Sequence, residues 1–264
     1  RSIIIKAKFL LQDIFSICLM GVGMKYSGRY AVILVSAMIL WNTIIIKPLK
    51  IFSVFLHELG HSIMAVIFGY GITGFSINLD ESGYAITLAK SGFSSFLIAS
   101  GGYLGSVLFA LLILKLKKTF AGKYILGVSA ILLLGMSIAY GKSLFTIIYA
   151  AIFAGLVLII YMLKNDKVYD WVVDIIGVVG VTYAVYDTFV DTILLEINRK
   201  LGIVPGWGAS RATTDAVQLE KMTHIPAVVW GILWLIVACC IIYSVMLTGG
   251  RKRTAAARGR RSTF

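Results

Sequence analysis

Two of the chain's three histidines, His57 and His61, enclose Glu58 in the run Phe55-Leu56-His57-Glu58-Leu59-Gly60-His61. On a helix, residues i and i+4 share a face, so both imidazoles can reach one metal ion. Glu58, beside the first ligand, is placed to take a proton from water at that metal. This is the logic of H-E-x-x-H in zinc hydrolases, where zinc brings the pKa of water to about 7 and supplies hydroxide at neutral pH. The competing reading is a polar patch that glues helices together. The clustering of ionisable groups inside an apolar run favours the metal, because such groups are costly there and usually functional.

A zinc hydrolase site needs a third protein ligand and keeps one position open. His224, the remaining histidine, stands beside Ile225-Pro226 at the mouth of an apolar run, so carboxylates are the better candidates. Asp187 and Asp191 share a helical face, Asp174 lies near the start of the same run, and Asp215 follows in a polar stretch. Any of them can instead pair with a Lys or Arg or line a wet cavity. Depth separates them. His57 lies ten residues past Lys47, or ~15 Å into an apolar core ~30 Å thick. Asp174, three residues in from Trp171, is only ~5 Å deep. Asp187, twelve residues before Arg199, lies ~18 Å from the opposite face. Asp187 is therefore the expected third ligand, with Asp191, one turn farther on, in reserve on a tilted helix. Asp215 reaches that depth only on a re-entrant loop.

The elements that must carry these residues belong to a membrane protein. Of 264 residues, 59% are hydrophobic and 14% charged, against about a quarter charged in a soluble domain. The net charge of +13 does not imply nucleic acid, and none is expected as a partner. Six of the 25 basic residues fall in the last 14 positions, and most others flank apolar runs, where they set orientation and meet anionic headgroups of the lipid bilayer. The three cysteines lie in apolar stretches without metal-type spacing, as small buried hydrophobes do.

Apolar runs over residues 31–46, 51–70, 91–114, 124–141, 143–163, 171–197 and 225–250 predict seven transmembrane helices, and an eighth if residues 9–24 cross. Trp230, Trp234 and Tyr243 suit interface anchors in the last of them. Residues 71–90 differ: period-two alternation on both sides of Asp80-Glu81-Ser82-Gly83 predicts a β-hairpin. The expected fold is thus an all-α multi-span membrane protein of seven or eight transmembrane helices, with a small β-hairpin after the His-Glu helix. Residues 1–30 are expected to form an N-terminal interfacial or membrane segment, 31–247 the membrane domain, and 248–264 a basic disordered tail. Gly101, Gly102, Gly105 and Ser106 form overlapping small-xxx-small patterns that predict close helix packing.

The His-Glu motif in an apolar helix with a hairpin behind it resembles the site-2 protease family of intramembrane zinc metalloproteases. Later segments resemble its compact branch, which lacks inserted soluble domains: Ser100-Gly101-Gly102-Tyr103-Leu104-Gly105-Ser106, then Tyr183-Ala184-Val185-Tyr186-Asp187, then Thr214-Asp215-Ala216 leading to Ile225-Pro226-Ala227-Val228-Val229-Trp230-Gly231. The resemblance covers roughly residues 31 to 247, and the first motif is its most specific part. It implies hydrolysis of peptide bonds within the membrane, with two histidines and an aspartate on zinc and Glu58 as general base. Family members commonly carry the third ligand in an Asp-Gly pair, and this chain contains no Asp-Gly.

The expected activity is that of a zinc-dependent intramembrane endopeptidase, multi-pass and integral to a membrane, with Zn2+ on His57, His61 and Asp187. Its substrates would be single-span proteins or membrane peptides. An unwound substrate segment has a receptor in the hairpin, whose edge can take an added strand. The alternatives are a catalytically silent relative serving as a structural subunit, and an ion or proton transporter using the Asp-rich span.

Overall fold

The computed structural model describes residues 28–203 and 214–259, with side chains to Val245. The described chain opens on α1 (Gly28–Leu40) and turns through residues 41–46 into α2 (Lys47–Phe68), which carries the His-Glu motif. Pro48 at the start of α2 fixes a helical φ where no intrahelical donor is needed. Strands β1 (Gly69–Ile77) and β2 (Gly83–Ala89) follow as an antiparallel hairpin, with Phe75 opposite Ala85 and Ile77 opposite Gly83. Next come α3 (Gly92–Leu116), a 3-10 turn (Phe120–Tyr124), α4 (Ile125–Tyr140) and α5 (Leu144–Met162). Helix α6 (Asp166–Phe189) runs through one π-helical turn (Val190–Leu194) into α7 (Leu195–Leu201). The short α8 (Asp215–Thr223) and the long α9 (Ala227–Gly259) complete the described chain.

Six of these segments are long and apolar enough to cross a membrane: 47–68, 92–116, 120–140, 144–162, 166–201 and 227–245. The protein is an integral, multi-pass membrane protein. The seventh expected span, at residues 31–46, is not among them. Its described helix has 13 residues and ends at Leu40, where Thr43 Oγ1 donates to the Leu40 carbonyl. At 1.5 Å per residue that is about 20 Å, short of an apolar core about 30 Å thick. The expected segment at residues 9–24 lies outside the described residues.

The spans form an inner and an outer set. Helices α2, α3 and the 166–201 segment have 67, 72 and 67% of their apolar windows buried, whereas α5 and α9 have 17 and 22%. An all-round apolar helix with little protein cover faces lipid, as Ile131, Leu144, Ile152 and Leu158 do. The inner core is built on Phe52, Phe55, Phe75 and Ile77, all essentially inaccessible. Phe52 stacks on Phe153 at 4.8 Å, and Phe55 meets Phe75 edge-on at 6.2 Å, tying α2 to α5 and to the hairpin. The small residues act as their spacing predicts: a Cβ on Gly60 would overlap the Gly101 carbonyl, so the α2 and α3 backbones touch.

A buried charge cluster joins α1, α3 and α6. Asp174, 1% exposed, lies 2.8 Å from Arg29 Nε and 2.7 Å from Lys117 Nζ, and Tyr30 donates to it at 3.3 Å. Asp174 is thus held by two permanent cations, the ion pairing open to any carboxylate in a span.

Candidate metal centre

Helix α2 has two working stripes. His57 and His61, one turn apart, point toward α3 and α8; Lys50, Val54 and Glu58, also at i+4 intervals, face the hairpin. The Nε2 atoms of His57 and His61 are 3.0 Å apart, and Asp215 Oδ2 lies 3.3 Å from the first and 3.1 Å from the second. Among the described residues these three form the one group of His, Cys, Asp and Glu side chains with metal-ligand spacing.

The donor set fits zinc. Ligand atoms at 2.0–2.1 Å around a tetrahedral zinc stand about 3.3–3.4 Å apart, and the observed triangle is within a few tenths of an ångström of that face. His61 Nδ1 lies 2.7 Å from the Ile98 carbonyl. A proton on Nδ1 donates there and leaves the Nε2 lone pair for a metal, as an outer hydrogen bond on a ligating histidine ordinarily does. Opposite the two nitrogens, α3 presents Gly102. A Cβ there would overlap both Nε2 atoms, so the bare glycine keeps open a space that even a methyl group would fill. Burial raises the Asp215 carboxyl's pKa, but the two imidazoles outweigh it and hold the group well below the usual carboxylate range.

Asp215 reaches this depth on a helix that does not span. Thr214 caps α8 by accepting from Val217 N, and Ala216 and Leu219, both fully buried, pack with Ala99, Tyr103, Ala227 and Trp234. Asp187, by contrast, faces the other ring nitrogen of His57, with Oδ2 4.0 Å from Nδ1. Asp191 sits in the π turn. His224 ends α8 as a left-handed cap, φ +58, and is not in the metal-spaced group. The structure therefore brings together His57, His61 and Asp215, with Asp187 behind His57. The depth argument for Asp187 supposed that every ligand rides on a full span.

Two residues escape the sequence reading as parts of the site. Tyr103 meets the His57 ring edge-on at 4.6 Å and stacks at 5.0 Å on Trp234. Trp234, expected as an interface anchor, is 3% exposed and donates from Nε1 to Ser100 Oγ at 3.2 Å. Their signal was the glycines beside Tyr103, which let α3 come close. Glu58, 5% exposed, packs against the start of β2, where a Cβ on Gly83 would stand 3.0 Å from its Oε1.

Neither a curated protein nor a solved structure was found to match the chain. A protein family does match it, over residues 30–245, which takes in every residue of the site. By that match the chain belongs to the Peptidase M50B-like family, the site-2 protease-like metalloproteases of membranes.

Proposed function

We propose that the protein is a zinc-dependent endopeptidase that cuts membrane-embedded polypeptides, with His57, His61 and Asp215 holding the metal and Glu58 moving the proton. The observation that carries this reading is the triangle of two Nε2 atoms and one carboxylate oxygen, open on the side where Gly102 has no side chain. Asp215 replaces Asp187 as the third ligand, and Asp187 acts on the outer nitrogen of His57.

Zinc, when bound, supplies a Lewis acid that polarises a substrate carbonyl and makes water acidic enough to ionise near neutrality. The chain's own groups do the rest. Glu58 accepts the proton of the water that adds to the scissile carbonyl and delivers it to the amide nitrogen as the C–N bond breaks. The close approach of Gly83 holds the carboxylate beside the hairpin. Tyr103 walls the histidines on the α3 side and restricts water to the substrate path. The hairpin offers the substrate an edge. β1 is bridged on its outer side by Gly141, and Lys142 donates to the Phe75 carbonyl at 2.9 Å. The outer edge of β2, beside Glu58, is the one for strand addition.

The test is Glu58→Gln in the purified full-length protein, reconstituted with a panel of single-span transmembrane segments. Zinc per molecule should stay at the wild-type level while cleavage falls by about 10²–10⁴-fold, the usual worth of a general acid–base group. Cleavage that survives this substitution would overturn the mechanism. Loss of function in Asp187 or Asp191 variants with an indifferent Glu58 would point to transport instead.

A further inference from the structure

Lys50 is an anomaly in α2: a lysine whose side chain is 7% exposed, two turns before His57 and beside the apolar run Ile51-Phe52. Its ammonium lies 3.1 and 3.3 Å from the two Glu81 carboxylate oxygens and 4.8 Å above the centre of the Trp41 ring. Trp41 is braced in turn by Tyr186, edge-on at 5.1 Å, and by Tyr183 at 6.2 Å. The Tyr183 hydroxyl donates to the Glu81 backbone carbonyl at 3.5 Å. Both ends of Glu81 are therefore held, its side chain by α2 and its carbonyl by α6.

Glu81 sits in the hairpin turn with φ +68, in the left-handed region where a side chain other than that of glycine is uncommon. The turn is further tied by Asn78 N donating to the Ser82 carbonyl at 2.8 Å and by Ser82 N and Oγ donating to Asp80 Oδ1 at 3.1 and 2.6 Å. Two residues past Glu81, β2 begins on Gly83, where a Cβ would collide with Val54 and stand 3.0 Å from Glu58 Oε1. Lys50, Val54 and Glu58 form one stripe of α2, and the hairpin meets it in series: Glu81 at Lys50, then Gly83 at Val54 and Glu58.

A buried ion pair is a poor source of stability, because desolvating two charges offsets most of their attraction, and apolar residues of similar size often hold as well. What such a pair adds is uniqueness, since any shifted arrangement leaves a charge stranded. A hairpin has particular need of that. Sliding a strand by one residue turns every side chain to the other face, and β2 has only Gly83, Ala85 and Thr87 on its inner face to mark its place.

We infer that Lys50 and Glu81 are positioning residues: a latch that fixes the register of β2 against Glu58 and thereby sets which bond of an extended substrate is cut. The inference rests on the proposed protease reading. It concerns the same site, but its first readout does not need cleavage.

The test compares wild type, Lys50→Met, Glu81→Gln, the double variant and Lys50→Arg in lipid nanodiscs. Three quantities are measured: zinc per molecule, backbone hydrogen exchange over residues 69–90, and the cut position in the segment that wild type cleaves fastest. The double variant has no stranded charge, so it should keep its zinc. Its hairpin should exchange about tenfold faster, the cut should spread to neighbouring bonds, and kcat should fall by up to about 10²-fold with KM less affected. Lys50→Arg should restore a single cut position. If the double variant loses zinc, Glu81→Asp takes its place: it keeps the charge, shortens the reach, and should move the cut. Wild-type exchange over the hairpin in a zinc-loaded variant overturns the latch whether or not the protein cleaves. Faster exchange with an unchanged cut position overturns its role in positioning. A wild type indifferent to Glu58→Gln removes the protease reading instead, and the exchange data still decide whether the pair holds the hairpin.

Discussion

Two buried aspartates show how one membrane bundle uses the same side chain in opposite ways. Asp174, at one end of α6, is 1% exposed and contacts a guanidinium and an ammonium at 2.8 and 2.7 Å. Asp215, on α8, contacts two imidazoles at 3.3 and 3.1 Å, and among the described residues no Lys or Arg pairs with it. Arginine and lysine carry fixed charge, so Asp174 is neutralised in the fold itself and has nothing left for a metal. A histidine ring offers a lone pair as well as N–H groups, so the two imidazoles and Asp215 form a set of donor atoms that one cation can join. A carboxylate paired with permanent cations staples helices; one paired with lone-pair donors awaits a cation. This contrast, and not depth in the membrane, tells the ligand from the staple.

The sharpest way to break the contrast is to remove each carboxylate near the histidines in turn. Asp215→Ala should abolish stoichiometric zinc binding. Asp187→Ala should weaken it by the 10–100-fold typical of a partner one step behind a ligand. A competition titration with a zinc chelator measures both. Equal losses would mean that Asp187 also binds the metal, and a larger loss at Asp187 would make it the third ligand in place of Asp215.

Next in size is a change that touches no ligand. Gly102→Ala should eject zinc while leaving His57, His61 and Asp215 in place, because the new methyl group would fall on both Nε2 atoms. Gly135→Ala is the control: nothing lies within 4 Å of a Cβ there, and in a helix the exchange should stabilise by up to about 1 kcal/mol. Zinc analysis of the two variants separates crowding at the site from a general effect of removing glycine. A zinc-replete Gly102→Ala protein would mean that the open space beside the nitrogens is not the metal's.

What could be read in the sequence was whatever is local. The pairing of His57 with His61 follows from helix periodicity alone, and the hairpin from its two-residue alternation. Its faces, however, are reversed from those of a soluble sheet. Tyr84, Ile86 and Leu88 are 43–47% exposed toward the surroundings, and Gly83, Ala85 and Thr87 turn inward. In a membrane the apolar side need not face the protein, and the small side is what lets β2 lie against Glu58. The place of Asp215 beside the histidines was not legible, because α8 has nine residues and buries only Ala216 and Leu219, too short an apolar signal to mark a helix that folds back into the bundle. At residues 31–46 the apolar run continues past Leu40, although the described helix stops there. The Asp174 cluster was legible only as one option among several, since its partners come from residues 29 and 117, which no local spacing connects to it.

The smallest expected effects lie inside that cluster, and they test whether it is a staple and nothing else. Asp174→Asn leaves Arg29 and Lys117 facing each other, with Asp170 nearby. Asp170 is 3.9 Å from the first and 3.4 Å from the second, with its side chain 50% exposed. Breaking a buried pair in this way costs about 3–5 kcal/mol. Asp170→Asn removes a half-exposed, solvent-screened partner and should cost no more than about 1 kcal/mol. Thermal unfolding in detergent, read alongside zinc per folded molecule, measures both. The expected pattern is a clear drop in melting temperature for the first and almost none for the second, with zinc stoichiometry unchanged in each. If Asp174→Asn emptied the metal centre in protein that remained folded, the two carboxylates would be energetically linked through α3, which carries Lys117 one residue past its end and Gly102 at the site. The division between staple and ligand would then have to be redrawn along that helix.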